Sequence, residues 1–98
     1  MILKFEWDRE KDAVNQMKHG ISFGEAKMVF FDPKRVEIYD WVHSYTEDRW
    51  KVFGLGGWAV LMVSFTEKNG SIRIISARKA TKIEEEEYFN GYSTNNSN

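Results

Sequence analysis

Residues 58–66, WAVLMVSFT, are apolar on both alternating sets of positions, so a strand here must bury both of its faces. A chain containing such a strand needs a layer on each side of a sheet and other strands beside it. The neighbouring segments supply them. Asn69-Gly70 is a tight hairpin signal, and Ser71 to Ala77 continues as a strand in which Ile72 and Ile74 alternate with Arg73. Upstream, Arg49 to Leu55 makes the preceding strand, and Gly54, Gly56 and Gly57 are expected to loosen its end into a turn. Val36 and Ile38, alternating with Glu37 and Tyr39, make a half-buried strand before that. Trp58 is expected in the core.

Ahead of Lys34 the apolar period is helical. Asp8 can cap a first helix, in which Ala13, Val14, Met17 and then Ile21 form one stripe expected to be buried. Gly20 is the expected left-handed stop, and Lys18 and His19 sit in the last turn, where cations suit the negative end of the helix dipole. Ser22 with Glu25 is a capping box opening a second helix, whose apolar face is Phe23, Ala26, Val29 and Phe30. Asp32-Pro33 ends it. A further capping box, Thr81 with Glu84, opens a last helix from about Lys82 to Asn90. The fold class expected is α+β: a helical hairpin, a four-stranded antiparallel meander and a C-terminal helix. It forms a single domain over residues 1–91, and the polar tail, residues 92–98, is expected to be disordered.

There is no cysteine, which rules out disulfides and thiolate metal sites and fits a reducing compartment. No stretch has the apolar length of a signal peptide or a membrane span, so a soluble, cytoplasmic protein is expected. The net charge of −1 gives no long-range pull on nucleic acid. Charge is instead segregated. Arg73, Arg78, Lys79 and Lys82 gather at a strand end and helix start with no carboxylate among them, ahead of the acidic block Glu84 to Glu87. Any polyanion must bind locally.

His19 and His43 lie in different elements without a matching ligand, so no metal or other cofactor is expected. No nucleophile elbow, P-loop or dinucleotide glycine pattern occurs. The remaining set suits phosphate and proton transfer. His43, Glu47 and Arg49 flank one loop and the strand it feeds, while Arg73 and Arg78 lie on the last strand. Arg49 and Arg73 can approach one another across the sheet, where guanidinium forks would clamp a scissile phosphate. A histidine can exchange protons with a 2′-hydroxyl or a 5′-oxygen, so RNA would supply its own nucleophile. Lys18, His19 and Lys79 are secondary contacts, and Trp41 and Tyr45, in a polar loop, are candidates for stacking on unpaired bases. The residues alone leave room for a plainer account, in which Glu47 pairs with an Arg and His43 caps a turn.

Trp7-Asp8, Lys11, Asn15, Lys18-His19-Gly20-Ile21-Ser22-Phe23, Glu25-Ala26 and Val29-Phe30 resemble the opening pattern of the BrnT toxins. So do Asp32, Asp40, His43-Ser44, Glu47, Arg49, Gly54, the run Ile72 to Thr81, Glu84 and Tyr88, in the family's order and spacing. The resemblance covers about residues 5 to 89. It implies the toxin of a type II toxin–antitoxin pair: a small ribonuclease that halts growth by cutting RNA, with a compact fold similar to RelE and ParE toxins. The partner implied is a BrnA-like antitoxin with a ribbon-helix-helix domain, through which alone the toxin would meet operator DNA. A reading of another class is a non-catalytic binding module that acts with the antitoxin as a DNA-binding corepressor.

Overall fold

The computed structural model describes residues 3–91, and the tail expected to be disordered, 92–98, lies outside them. The chain opens on a strand, β1 (Lys4–Trp7), where the sequence suggests only a lead into a helix. Phe5 and Trp7 pack on the core while Lys4 and Glu6 face solvent, the period-two pattern of a short edge strand. The other strands are β2 (Val36–Tyr39), β3 (Trp50–Gly56), β4 (Ala59–Lys68) and β5 (Ser71–Lys79). They form one sheet in the order β1-β5-β4-β3-β2. The expected meander is present as β2 to β5, but β1 joins β5 in parallel, Lys4 opposite Ser71 and Trp7 opposite Ile74. The sheet is therefore five-stranded and mixed, not a four-stranded antiparallel meander.

The turns follow local chemistry. Asn69 and Gly70 both take positive φ, 54° and 81°, as a two-residue hairpin requires. Gly54 and Gly56 both belong to β3, Gly56 as its last residue. A Cβ on Gly54 would lie 3.0 Å from the Val29 carbonyl oxygen, so glycine lets a helical segment press directly on the strand. The turn falls at Gly57 and Trp58, between the paired Gly56 and Ala59. That position puts Trp58 at a hairpin apex, 86% exposed, and not in the core.

One face of the sheet is covered by α1 (Arg9–His19), the single turn α2 (Phe23–Ala26) and a 3-10 helix (Lys27–Phe31). Asp8 caps α1, Gly20 ends it at φ 70°, and Ser22 with Glu25 forms the capping box. Phe23, Ala26, Val29 and Phe30 bury against Val52, Val63 and Ile74, as their spacing indicates. On the other face α3 (Lys82–Phe89), opened by the Thr81–Glu84 box, packs Tyr88 with Phe53, Val60 and Met62. Val60 to Val63 are accordingly buried on both sides of β4. The Tyr88 hydroxyl donates to Asp32, which also accepts from the Lys34 and Leu55 backbone N–H groups at 2.8 Å each. Burial and that bond raise the Tyr88 pKa to about 12.

Of the apolar stripe expected along α1, only Ile21, just past its end, is buried. Ala13, Val14 and Met17 are exposed, Met17 at 88%, and Asn15 is the buried residue. Because β1 pairs only with Ser71 to Ile74, the rest of the β5 edge needs another partner. Asn15 provides it. Its Nδ2 donates to the carbonyls of Ala77 at 2.8 Å and Ile21 at 2.9 Å, and its Oδ1 accepts from the Ala77 N–H at 3.1 Å. Asn15→Ala leaves these buried groups unpaired and should cost about 2–4 kcal/mol in urea unfolding. A loss below about 0.5 kcal/mol would mean that water replaces the carboxamide.

Candidate functional site

Side chains alternate across the sheet, so the face opposite α1 carries Lys51 and Phe53 from β3, Met62 and Ser64 from β4, and Ser76 and Arg78 from β5. Helix α3 covers the apolar end of this face. The polar end stays open as a cleft of about 280 Å³. Lys51 stands opposite Ser64, and Ser64 opposite Ser76, while the register shift beside Ser64 leaves Ile75 as an extra residue at the cleft rim.

The loop from Asp40 to Arg49 completes the cleft, and small polar groups hold it in shape. The Asp40 N–H donates to the Arg49 carbonyl at 2.9 Å, closing its base. Ser44 Oγ donates to the Asp40 carbonyl at 2.7 Å and accepts from the Arg49 N–H at 2.9 Å. The Asp40 carboxylate accepts from the His43 N–H at 3.2 Å and lies 3.0 Å from His43 Nδ1. Burial by itself would raise the Asp40 pKa. The ring and backbone bonds from His43, with Lys51 nearby, outweigh it and hold the carboxyl ionised below its ordinary range. An anionic acceptor at Nδ1 selects the tautomer with its proton there, so the lone pair of a neutral ring sits on Nε2. The His43 side chain is 56% exposed, so that nitrogen is accessible to a substrate.

His43, Arg49 and Arg78 thus meet in one cleft, although Arg78 comes from β5 and the other two from the loop. Arg73 does not join them. It is exposed beyond the bulge, between Glu6 and Thr66, with β4 separating its strand from β3, into which Arg49 leads. The basic cluster also contains a carboxylate that sequence spacing misses. Glu84 binds Arg78 through two bonds, at 2.8 and 3.0 Å. The first turn of α3 carries Glu84 back over the strand end, and the Arg78 bonds lead the causes that lower its pKa to about 2. Glu47 is exposed in the loop and pairs with no Arg among the described residues. Trp41 and Tyr45 are exposed there too, Trp41 resting edge-on against Tyr39. Lys18 and His19 line a groove beside α1, and Lys79 lies over the Trp58 ring.

Asp40, Ser44 and Lys51 are the site residues that the sequence reading passed over. Lys51 shares the parity of Arg49 two residues earlier, and an Asp three residues before a His is a turn-forming spacing, so both left a signal. Among the described residues no three His, Asp or Glu side chains gather as metal ligands would, and no helix is long and apolar enough to cross a membrane.

A family model described as ribonuclease toxin, BrnT, of type II toxin-antitoxin system matches residues 7–84. No curated protein matches the chain significantly.

The Arg78–Glu84 pair has a pH signature. Its stabilisation is complete above the ordinary carboxylate value near 4.5 and is lost as pH falls toward about 2. Between those limits unfolding experiments should show a loss of at most about 3 kcal/mol that Glu84→Gln abolishes. An unchanged acid slope in that variant would assign the loss to other carboxylates.

Proposed function

The chain belongs to the BrnT family of type II toxin–antitoxin ribonuclease toxins, and from that premise we propose that it cuts RNA in the open sheet cleft without a metal. The observation carrying this reading is the Asp40–His43 couple opening beside Arg49 and Lys51. The 2′-hydroxyl of one nucleotide adds to the adjacent phosphorus, and His43 Nε2 takes its proton. Asp40 orients the ring and stabilises the imidazolium. Arg49 and Lys51 neutralise the extra charge on the phosphate oxygens as the bond to the 5′-oxygen breaks. The proton then passes to that leaving oxygen, giving a 2′,3′-cyclic phosphate and a 5′-hydroxyl.

Arg78 contributes in a constrained way. Nη1 donates to Glu84 and to the Lys79 carbonyl, and Nη2 gives one hydrogen to Glu84, which leaves Nε and one Nη2 hydrogen for a phosphate oxygen. Glu84 fixes where those donors point. Glu47, exposed in the loop of His43, is the alternative proton carrier, and Arg73, Lys18, His19, Lys79, Trp41 and Tyr45 contact RNA outside the reacting centre. The partner is a BrnA-like ribbon-helix-helix antitoxin, whose acidic or amphipathic segment covers the cations and which alone carries the complex to operator DNA.

Purified protein should cleave a mixed RNA in the presence of EDTA, leaving cyclic phosphate ends. His43→Ala and Lys51→Ala should each slow the reaction about 100-fold or more while the fold survives. Unchanged cleavage by His43→Ala removes the proton-transfer assignment, and loss of cleavage in EDTA removes the metal-free step. A protein that never cuts RNA, yet tightens operator binding by the antitoxin, is the corepressor of the other class. Arg78→Glu should weaken both cutting and antitoxin binding. Full antitoxin affinity in that variant would put inhibition elsewhere on the surface.

A further inference from the structure

Trp58 is an indole held at the tip of the β3–β4 turn with most of its surface in water. Its environment is specific. Lys79 Nζ lies 5.0 Å from the ring centroid, so one face is backed by a cation while the ring remains open to solvent. Beneath it is a pocket of about 310 Å³, reaching His19 and Gly20 at the C-terminal end of α1.

This pocket is not isolated. It shares His19 with the groove of about 400 Å³ that runs beside α1. That groove in turn shares Ile75 and Ser76 with the cleft holding His43 and Arg49. Through these shared residues the three adjoin as a track, its middle part lying along α1, whose eleven residues extend about 16 Å. Lys11 and Lys18 line its middle and Lys79 its end. Two of the carboxylates along it are committed to backbone: Asp8 accepts from the N–H groups of Glu10 and Lys11, and Glu25 from that of Ser22. Both keep their charge, so with Glu10 they balance Lys11, Lys18 and Lys79 along this stretch. The excess of cations lies at the His43 end, where Arg49, Lys51 and Arg78 outnumber Asp40 and Glu84.

We propose that Trp58, with Lys79 and His19, forms a stacking subsite for single-stranded RNA, several nucleotides from the scissile phosphate and joined to it by the groove beside α1. The subsite deepens the ribonuclease reading and rests on it for the direction of the strand. An exposed indole stacks on any base that is free of a duplex, and a cation at its edge and back holds the flanking phosphate. Paired RNA cannot offer such a base. The subsite therefore favours unpaired RNA longer than a dinucleotide.

The test uses full-length protein and 2′-O-methyl oligonucleotides, which lack the attacking hydroxyl and cannot be cut by the route above. Trp58→Ala should weaken binding of an octanucleotide about tenfold and leave a dinucleotide unaffected, with Trp58→Phe keeping most of the affinity. Lys79→Ala should make octanucleotide binding less dependent on salt. An unchanged octanucleotide affinity in Trp58→Ala overturns the subsite, as does an equal loss for both lengths or no octanucleotide binding by the wild type. If Trp58→Ala spares RNA but loosens the antitoxin complex, the indole is a protein contact and the subsite is again overturned. Because binding is read without cleavage, a ribonuclease site assigned wrongly shows separately, as RNA cutting that survives His43→Ala.

Discussion

A single carboxamide decides how the helices meet the sheet. Asn15 presents one donor and one acceptor to the edge of β5, as a neighbouring strand would, and ties the same side chain to the Ile21 carbonyl. An amide can satisfy both groups of a strand residue because it matches the peptide bond in geometry and in hydrogen-bonding capacity. With that edge closed, β1 needs to cover only the first part of β5, and the chain can turn at Asp8 into a helix beside the strand. The groove along α1 and the covered face of the sheet both follow from this placement. The polar contact costs little, since every buried group involved is paired.

The two faces of the sheet are treated differently. One is closed by aromatic and branched side chains, with Phe23, Val29 and Val63 wholly buried. The other is closed only where α3 lays Tyr88 over Phe53 and Met62. Asp32 anchors that helix from beneath through the Tyr88 hydroxyl, and Glu84 anchors it from above through Arg78. Burial opposes ionisation of Asp32, but the bond from Tyr88 and two backbone N–H groups more than offset it. The remaining half of the face is wet, basic and floored by rigid strands, which suits a polyanion that must be held but not engulfed.

Cations in this protein act by placement and not by number. A net charge of −1 offers no general attraction to RNA, yet Arg49, Lys51 and Arg78 stand around one cleft. The carboxylates near them are committed, Asp40 to His43 and Glu84 to Arg78. Each anion thereby orients a group of the site while still lowering its total charge. Such a surface binds at short range, where geometry discriminates, and leaves complementary charge for a protein partner to cover.

Much of the fold was legible along the chain. The capping boxes at Ser22 and Thr81, the stop at Gly20, the turn at Asn69-Gly70 and the doubly buried run Val60 to Val63 are set by residues within a few positions of one another. So are His43 and Arg49, gathered by a loop that closes on itself through Ser44. The errors share another cause. The stripe on α1 looked like core because periodicity cannot say that a polar residue, Asn15, has a strand edge as its partner. Trp58 looked like core because hydrophobicity does not reveal a hairpin apex, and β1 went unseen because its partner lies some sixty-seven residues away, Lys4 against Ser71. The sequence alone determined the local elements, their caps and the kinds of chemistry on offer. Only the folded chain decided that Glu84 would take Arg78, that Arg73 would stand apart and that Lys51 would join His43. Those outcomes depend on register and packing between distant segments, which no local pattern encodes.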